Sequence, residues 1–119
     1  MSEQEPLVAD ILRQAEDALD AARLLMNKTL RSLHERTVRD GRVSSGAMDS
    51  LQSVCYDVAL SASEQMAARI FIEYARQARE VHGSGQAGLC LEERLASFFV
   101  AEAVQNLCNR VAFRTEDFG

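Results

Sequence analysis

The chain has 119 residues, 47% hydrophobic and 26% charged, which fits one domain with its own core and excludes a mainly disordered chain. Its net charge of -5 at pH 7 argues against general nucleic-acid binding, which needs a strongly positive surface. The N-terminal residues MSEQEPLVAD form no apolar signal core, and no apolar run is long enough to span a membrane. We therefore expect a cytoplasmic protein that does not associate with membranes.

The first predicted helix covers about residues 5–36. Ser2 and Glu5 have the spacing of a capping box, and Pro6 suits the first helical turn. Apolar residues then recur every three or four positions, which predicts a helix that buries one face. This stripe consists of Leu12, Ala15, Leu19, Ala22, Met26 and Leu33.

The second predicted helix covers about residues 46–81 and follows the turn dipeptide Asp40-Gly41, with Ser44 or Ser45 as its cap. It carries two apolar stripes that are offset around the helix axis. Either two surfaces cover the helix, or it kinks near residues 59–63, where small residues weaken the turn. The early stripe is Met48, Leu51, Cys55, Val58 and Ala62, and the later one is Met66, Ile70, Tyr74 and Ala78.

The third predicted helix covers about residues 89–112, after a flexible segment at 82–88 that contains three glycines. Residues 1–4 and 114–119 are predicted to be flexible ends, although Phe118 is able to dock on the helices or on a partner. No strand-like alternation is found. The apolar face of the third helix is Leu91, Leu95, Phe98, Phe99, Ala103, Val104, Leu107 and Val111, with Val100 to one side.

These segments predict an all-α fold: a single domain over residues 1–119, built as an up-down antiparallel bundle of three long helices. The second helix is longer than the third, so apolar surface stays uncovered in one chain. We expect dimerisation or a partner protein to cover that surface.

No chemical motif indicates catalysis, a metal site or a cofactor. His34 and His82 lack the Glu-x-x-His spacing of a di-iron bundle, and the three cysteines form no CxxC pair. The sequence also lacks a GxGxxG motif, a Walker loop and a nucleophile elbow. We therefore expect a protein without catalytic residues.

Two charged features leave alternatives open. Arg36, Arg39 and Arg42 belong to a basic stretch that is either a solvated helix end or a set of phosphate contacts for a nucleotide, coenzyme A or RNA. Glu102 is either a proton donor or base among apolar neighbours, or a boundary residue whose carboxylate reaches water or an arginine.

The candidate interface or ligand-contact residues lie on the second and third helices. The leading interpretation is a non-catalytic helical module that self-associates or docks on a larger enzyme. The alternative is a bundle that opens between these two helices to bind an acyl chain or acyl-CoA. The candidate residues are Met66, Ile70, Phe71, Tyr74, Phe98, Phe99 and Glu102.

Two segments together resemble helical modules of the acyl-CoA dehydrogenase superfamily. They are DGRVSSGAMDSLQSVCYDVALSASEQMAARIFIEYA and EERLASFFVAEAVQNLCNRV, within residues 40–112. The likeness is greatest to the N-terminal helical extension of (2S)-methylsuccinyl-CoA dehydrogenase-like enzymes, where a DGR-type turn precedes an alanine-rich helix and a later helix carries an acidic-apolar segment like Ala101-Glu102. The resemblance implies a non-catalytic module that stabilises, oligomerises with or regulates a larger enzyme of that type. No residue here matches the flavin contacts or the catalytic base of that family.

Overall fold

The computed structural model describes the backbone of residues 4–82, 88–116 and 118, and the side chains of residues 10–81, 88–116 and 118. The protein is mostly helical, so the predicted all-α class is confirmed. The cap predicted at Ser2 and most of the predicted flexible segment at 82–88 lie outside the described residues. The elements in chain order are α1 (Gln4–Thr37), β1 (Val38–Arg39), β2 (Arg42–Val43), α2 (Ser45–Ser50), α3 (Gln52–His82) and α4 (Leu91–Phe113).

A small β-hairpin follows α1, where no strand was predicted from the sequence. Its strands pair antiparallel, with Val38 opposite Val43 and Arg39 opposite Arg42. Asp40 and Gly41 have φ of 53° and 77°, the positive values that a two-residue type I′ turn requires at both central positions. Strands of two residues are too short to show an alternating pattern, so only the turn dipeptide was visible in the sequence.

The helix predicted at 46–81 is divided in two at Leu51. Ser44 caps α2, because its Oγ accepts a hydrogen bond of 3.3 Å from the backbone N–H of Ala47. Leu51 then leaves helical geometry, with φ of -110° and ψ of 17°. A kink at residues 59–63 was one of the two alternatives for this helix, and α3 is continuous through these residues. The Ser63 hydroxyl donates 2.9 Å to the carbonyl of Ala59 without interrupting the helix.

The order of cross-helix contacts gives the relative direction of α1, α3 and α4. Arg69 and Arg76 of α3 pair with Asp20 and Glu16 of α1, so residue numbers rise on one helix as they fall on the other. The contacts between α3 and α4 follow the same rule, because Arg79 pairs with Glu93, Phe71 stacks on Phe99 and Asp57 pairs with Arg114. Thus α3 runs antiparallel to both other long helices.

The core lies where α1, α3 and α4 meet. The residues buried in it can be compared with the apolar stripes predicted for each helix. The α1 prediction is confirmed, because Leu12, Leu19, Ala22, Met26 and Leu33 are buried. On the other helices the inward face was assigned correctly only in part, because Val58, Ala103 and Leu107 are buried as predicted. The later α3 stripe of Met66, Ile70 and Tyr74 is exposed, as are Leu91, Leu95 and Phe98 of α4, whereas Val100 is buried. The inward residues are Val54, Val58, Ser61, Gln65, Ala68, Ile72 and Ala75 of α3, and Ala96, Val100, Ala103 and Leu107 of α4.

The C-terminal segment docks on this core through Phe118. Its side chain is 1% exposed and packs in the same cluster as Met26, Val58 and Leu107. Its carbonyl oxygen accepts a hydrogen bond of 2.9 Å from the buried hydroxyl of Thr29. Residues 114–119 were predicted as an end from which Phe118 is able to dock on the helices, and Phe118 lies docked on them.

Candidate functional site

Helix α3 presents apolar residues on two opposite sides. Its inward stripe, from Val54 to Ala75, repeats at alternating steps of three and four residues. A second stripe with the same steps lies two residues further along, which is about 200° around the helix. It therefore faces away from the core. This outward stripe is Tyr56, Leu60, Ser63, Ala67, Ile70, Tyr74, Gln77 and Val81.

Helix α4 adds large exposed side chains at the same height. Because Arg79 pairs with Glu93 and Phe71 stacks on Phe99, the first half of α4 lies beside the second half of α3. Seven large apolar side chains of these two segments are between 45% and 83% exposed. We call this set the outer face: Met66, Ile70, Tyr74, Val81, Leu91, Leu95 and Phe98.

Three aromatic rings pack where α3 meets α4, and one of them, Tyr74, belongs to the outer face. Phe71 and Phe99 are half-buried and stacked, with ring centroids 5.6 Å apart and an interplanar angle of 21°. Tyr74 meets Phe71 edge to face, at 6.3 Å and 87°. Such contacts hold rings in fixed positions. The predicted contact residues Phe71, Tyr74 and Phe99 are therefore brought together, with Phe71 and Phe99 as the seam between α3 and α4.

Two depressions open to solvent mark this region. One of about 480 Å³ lies along α3 and is lined by Arg69, Ile70, Glu73, Tyr74 and Gln77. The other, of about 140 Å³, is lined by Glu64, Phe99, Glu102, Ala103 and Asn106. Glu102 is exposed at the edge of this second depression.

The Glu64 carboxylate beside that depression is already engaged by an arginine. Arg110 donates to its two oxygens at 2.9 and 3.2 Å, and also to the Ser61 hydroxyl at 2.8 Å. The Arg110 hydrogen bonds hold the pKa of Glu64 below its usual range, and Glu64 in turn raises the pKa of Arg110. Two parallel hydrogen bonds between α3 and α4 give this pair a structural role.

Glu93 is a buried acid in the first turn of α4. Its side chain is 1% exposed, it pairs with Arg79, and it accepts 2.9 Å from the backbone N–H of Cys90. Burial alone raises the pKa of Glu93, but the hydrogen bonds from Arg79 and Cys90 outweigh it and leave that pKa lowered. Burial also raises the pKa of the Cys90 thiol. The spacing of Cys90 and Glu93 matches a capping box, but the signal was missed because Cys is not a usual capping residue.

The predicted phosphate contacts lie elsewhere. Arg39 and Arg42 face each other across the hairpin, and Arg36 at the end of α1 donates 3.3 Å to the carbonyl of Ser32. Leu33 packs in one cluster with Val54 and Val58, so this end of α1 lies beside the start of α3. The outer face lies toward the other end of α3. The structure therefore does not bring the three arginines together with Met66, Phe71 or Phe98.

Within residues 10–81, 88–116 and 118, no cluster of three His, Cys, Asp or Glu side chains is placed to hold a metal ion. None of the helices in the same part of the chain combines the length and the apolar character of a membrane-spanning segment. Comparison with known protein families, with curated proteins and with solved structures finds no match to this chain.

Proposed function

We propose that this protein is a helical interaction module, an up-down bundle of three long helices that binds another protein surface through the outer face. The observation that supports this most is the concentration of seven large, exposed apolar side chains on the second half of α3 and the adjacent first half of α4. Single exposed apolar residues are normal on protein surfaces. A contiguous group on a rigid pair of helices is typical of a contact surface.

The size of the outer face supports the same proposal. Taking roughly 150 Å² for a fully exposed large side chain, the seven residues expose on the order of 700 Å². A typical monomer has a largest apolar patch of roughly 300–600 Å², and a standard protein interface buries about 800 Å² on each partner. The outer face is therefore large enough for a specific interface.

The interior of the α3–α4 pair supports a structural role for its charged groups rather than a catalytic one. Glu64 and Glu93 are bound by Arg110 and Arg79, and both carboxyl groups have a lowered pKa. A general acid at neutral pH needs the opposite shift. Their arrangement stabilises the packing of α3 on α4.

An acyl chain or acyl-CoA is the second candidate occupant. The depression of about 480 Å³ along α3 has a volume in the range of small-molecule sites. However, it is open to solvent and is lined by Arg69, Glu73 and Gln77 besides Ile70 and Tyr74. A protein surface would cover the outer face more completely than an acyl chain would.

Docking on a larger acyl-CoA dehydrogenase-type enzyme is a further form of the proposal, supported only by the likeness of residues 40–112 described above. A cytoplasmic location is also proposed, and it is supported by the three free cysteines, Cys55, Cys90 and Cys108.

Charged substitutions on the outer face test the proposal. Tyr74→Glu and Phe98→Glu change exposed side chains, so both variants should keep their helical circular dichroism and their melting temperature within a few degrees. We expect sedimentation velocity to show that the wild-type chain associates, with itself or with an added partner enzyme, and that both variants lose this association. Leu24→Glu, on the exposed side of α1, is the matched control and should associate like the wild type. Association that survives both outer-face substitutions would contradict the proposal.

A further inference from the structure

We propose that the outer face binds a second copy of this chain, with α3 of each copy packed on α4 of the other around a two-fold axis parallel to the helices. This inference rests on the proposed function and names its partner. Three observations support it: the area of the outer face, the distribution of charge on its two edges, and the match of large and small side chains between them.

The area of the outer face favours a second copy as partner, because in a dimer each copy contributes the same face to the interface. In a two-fold dimer the same surface is used twice, and it must be complementary to itself. Burying roughly 700 Å² on each copy gives about 1,400 Å² in total, which lies within the standard range of roughly 1,200–2,000 Å². The outer face therefore suffices for a stable dimer without any further contact.

The two edges of the outer face carry opposite charges. Phe71 marks the side of α3 that contacts α4. Glu73 follows it by two residues, or about 200° around the helix, and therefore lies on the side of α3 that is away from α4. Glu80 is two helical turns further on the same edge. Arg94 precedes Phe99 by five residues, which places it about 140° around α4 from the seam. The α3 edge thus carries Glu73 and Glu80 next to Arg69 and Arg76, and the α4 edge carries Arg94. Between the edges, the exposed Glu102 follows Phe98 by four residues and lies on the same side of α4.

These three charged side chains are exposed, and within the described part of the chain none of them makes an ion pair or a hydrogen bond. Their neighbours differ in this respect, because Arg69 and Arg76, one turn before Glu73 and Glu80, pair with acids of α1. Glu73 and Glu80 are therefore available to a partner along an edge whose arginines are already engaged.

Along the bundle axis, Arg94 of α4 lies at a level between Glu73 and Glu80 of α3. Arg79 pairs with Glu93 and Phe71 stacks on Phe99, so Arg94 lies at the height of Gln77, between Glu73 and Glu80. A two-fold axis parallel to the helices preserves height and places the α4 edge of the second copy along the α3 edge of the first. Arg94 of the second copy then lies between Glu73 and Glu80, and the reciprocal contact forms on the other side.

The other two-fold arrangement of the same faces is electrostatically unfavourable. An axis perpendicular to the helices, in the plane of the interface, places α3 on α3 and α4 on α4. The α3 edge then meets the α3 edge of the second copy, which brings Glu73 and Glu80 toward their counterparts, and Arg94 approaches Arg94. Like charges at an interface disfavour an arrangement, whereas opposite charges select it.

Side-chain size agrees with the parallel axis. By the same antiparallel alignment, Ile70 lies at the height of Ala101 and Met66 at the height of Gln105. Ala101 and Gln105 are exposed on α4, and Ala101 is on the same edge as Arg94, seven residues later. In the proposed dimer the large side chain of Ile70 would therefore meet the smaller Ala101 of the second copy, whereas Met66 would meet Gln105, an uncharged side chain of similar length.

A charge-reversal cycle tests this dimer. Sedimentation equilibrium of the full chain should show a dimer. Arg94→Glu should weaken the dimer at least tenfold in Kd, because it replaces attraction by repulsion at both reciprocal contacts. The double variant Glu73→Arg/Glu80→Arg should weaken it similarly. The triple variant that carries all three changes should restore dimerisation to within about threefold of the wild type.

Arg31→Glu on α1 is the matched control and should leave the Kd unchanged, and the melting temperature of each variant at low concentration reports on folding. A monomeric wild type at millimolar concentration would overturn the second copy as partner. If Arg94→Glu leaves the Kd of dimerisation unchanged, or if the triple variant stays monomeric, the proposed arrangement is overturned. The proposed function fails separately, if Phe98→Glu leaves every association of the chain intact.

Discussion

The hydroxyl of Thr29 lies 2.9 Å from the carbonyl oxygen of Phe118, a residue 89 positions later in the chain. The same hydroxyl lies 3.0 Å from the carbonyl of Leu25, within its own helix. Thr29 is completely buried, so the hydrogen bond to Phe118 forms out of contact with water. This contact joins the C-terminal segment to the middle of α1.

Phe118→Ala should strongly destabilise the protein. Removing a buried phenylalanine side chain typically costs about 3–5 kcal/mol, because the cavity it leaves does not fully close. Chemical denaturation with a circular dichroism readout measures the change. Phe113 is 90% exposed at the end of α4, and Phe113→Ala should change the free energy of unfolding by less than about 0.5 kcal/mol. Equal effects of the two substitutions would show that Phe118 is not docked in solution.

Thr29→Val tests the hydrogen bond itself. Valine keeps the shape of threonine but cannot donate to the Phe118 carbonyl, so a buried acceptor loses its partner at a cost of about 1–3 kcal/mol. In the Phe118→Ala background the same substitution should cost less, if the tail no longer holds its carbonyl in place. Additive effects of the two substitutions would argue against a coupled contact.

Glu93→Gln should destabilise the protein by about 1.5–3 kcal/mol, because it replaces the buried carboxylate that accepts hydrogen bonds from Arg79 and from the backbone N–H of Cys90. Arg79 also donates to the carbonyl of Gly88, so the connection between α3 and α4 should loosen as well. Hydrogen exchange of residues 88–93 measures that loosening. Glu102→Gln, an exposed acid on the same helix, is the control and should have little effect.

Acid should destabilise the protein through Glu64 and Glu93. Both have a folded-state pKa below the ordinary value, so the stability they contribute is present at pH above about 4.3 and is lost as the pH falls through the lowered folded values. The free energy of unfolding should therefore decrease below about pH 4. Glu93→Gln should make this decrease shallower. A variant with the wild-type pH dependence would mean that Glu93 does not contribute to it.

Gly41→Ala should destabilise the hairpin by about 1–2 kcal/mol, because φ at this position is 77°, a left-handed conformation that side chains disfavour. No atom within 4 Å would obstruct a Cβ at Gly41, so the cost comes from the backbone alone. Gly46→Ala, within α2, is the counterpart. There a Cβ would meet only Ser44 Oγ at 3.9 Å, and alanine should stabilise the helix by about 0.5–1 kcal/mol. Thermal melts of both variants should therefore shift in opposite directions.

The helices and the α1 stripe were predictable because most of the large apolar residues of α1 lie on one side, with Leu24 as the exception on the opposite side. On α3 and α4 the same periodicity occurs on two sides, so spacing alone does not identify the inward face. Size misled the prediction, because large residues such as Ile70, Tyr74 and Phe98 are exposed. The inward faces use alanine, at Ala68, Ala75, Ala96 and Ala103, and small side chains allow two helices to approach closely.

The candidate site was partly predictable, because its large apolar residues are visible in the sequence. The sequence identified Met66, Ile70, Tyr74 and Phe98 as large residues that need a covering surface, although it placed them inside the fold. It did not identify Glu93, because the burial of an acid depends on Arg79, which is distant in sequence. It also did not identify the charged edges, because their heights become comparable only when the alignment of α3 with α4 is known.

The two apolar stripes of α3 also bear on how this protein tolerates mutation. An ordinary amphipathic helix has a solvated side on which substitutions accumulate with little effect. From Val54 to Val81 that side is narrow, because one stripe supports the fold and the opposite one, by our proposal, supports assembly. We expect a saturation mutagenesis screen that selects for assembly to find α3 the least permissive helix. In a screen that selects only for folding, the outward stripe should tolerate substitutions as well as an ordinary solvent-exposed helix face does.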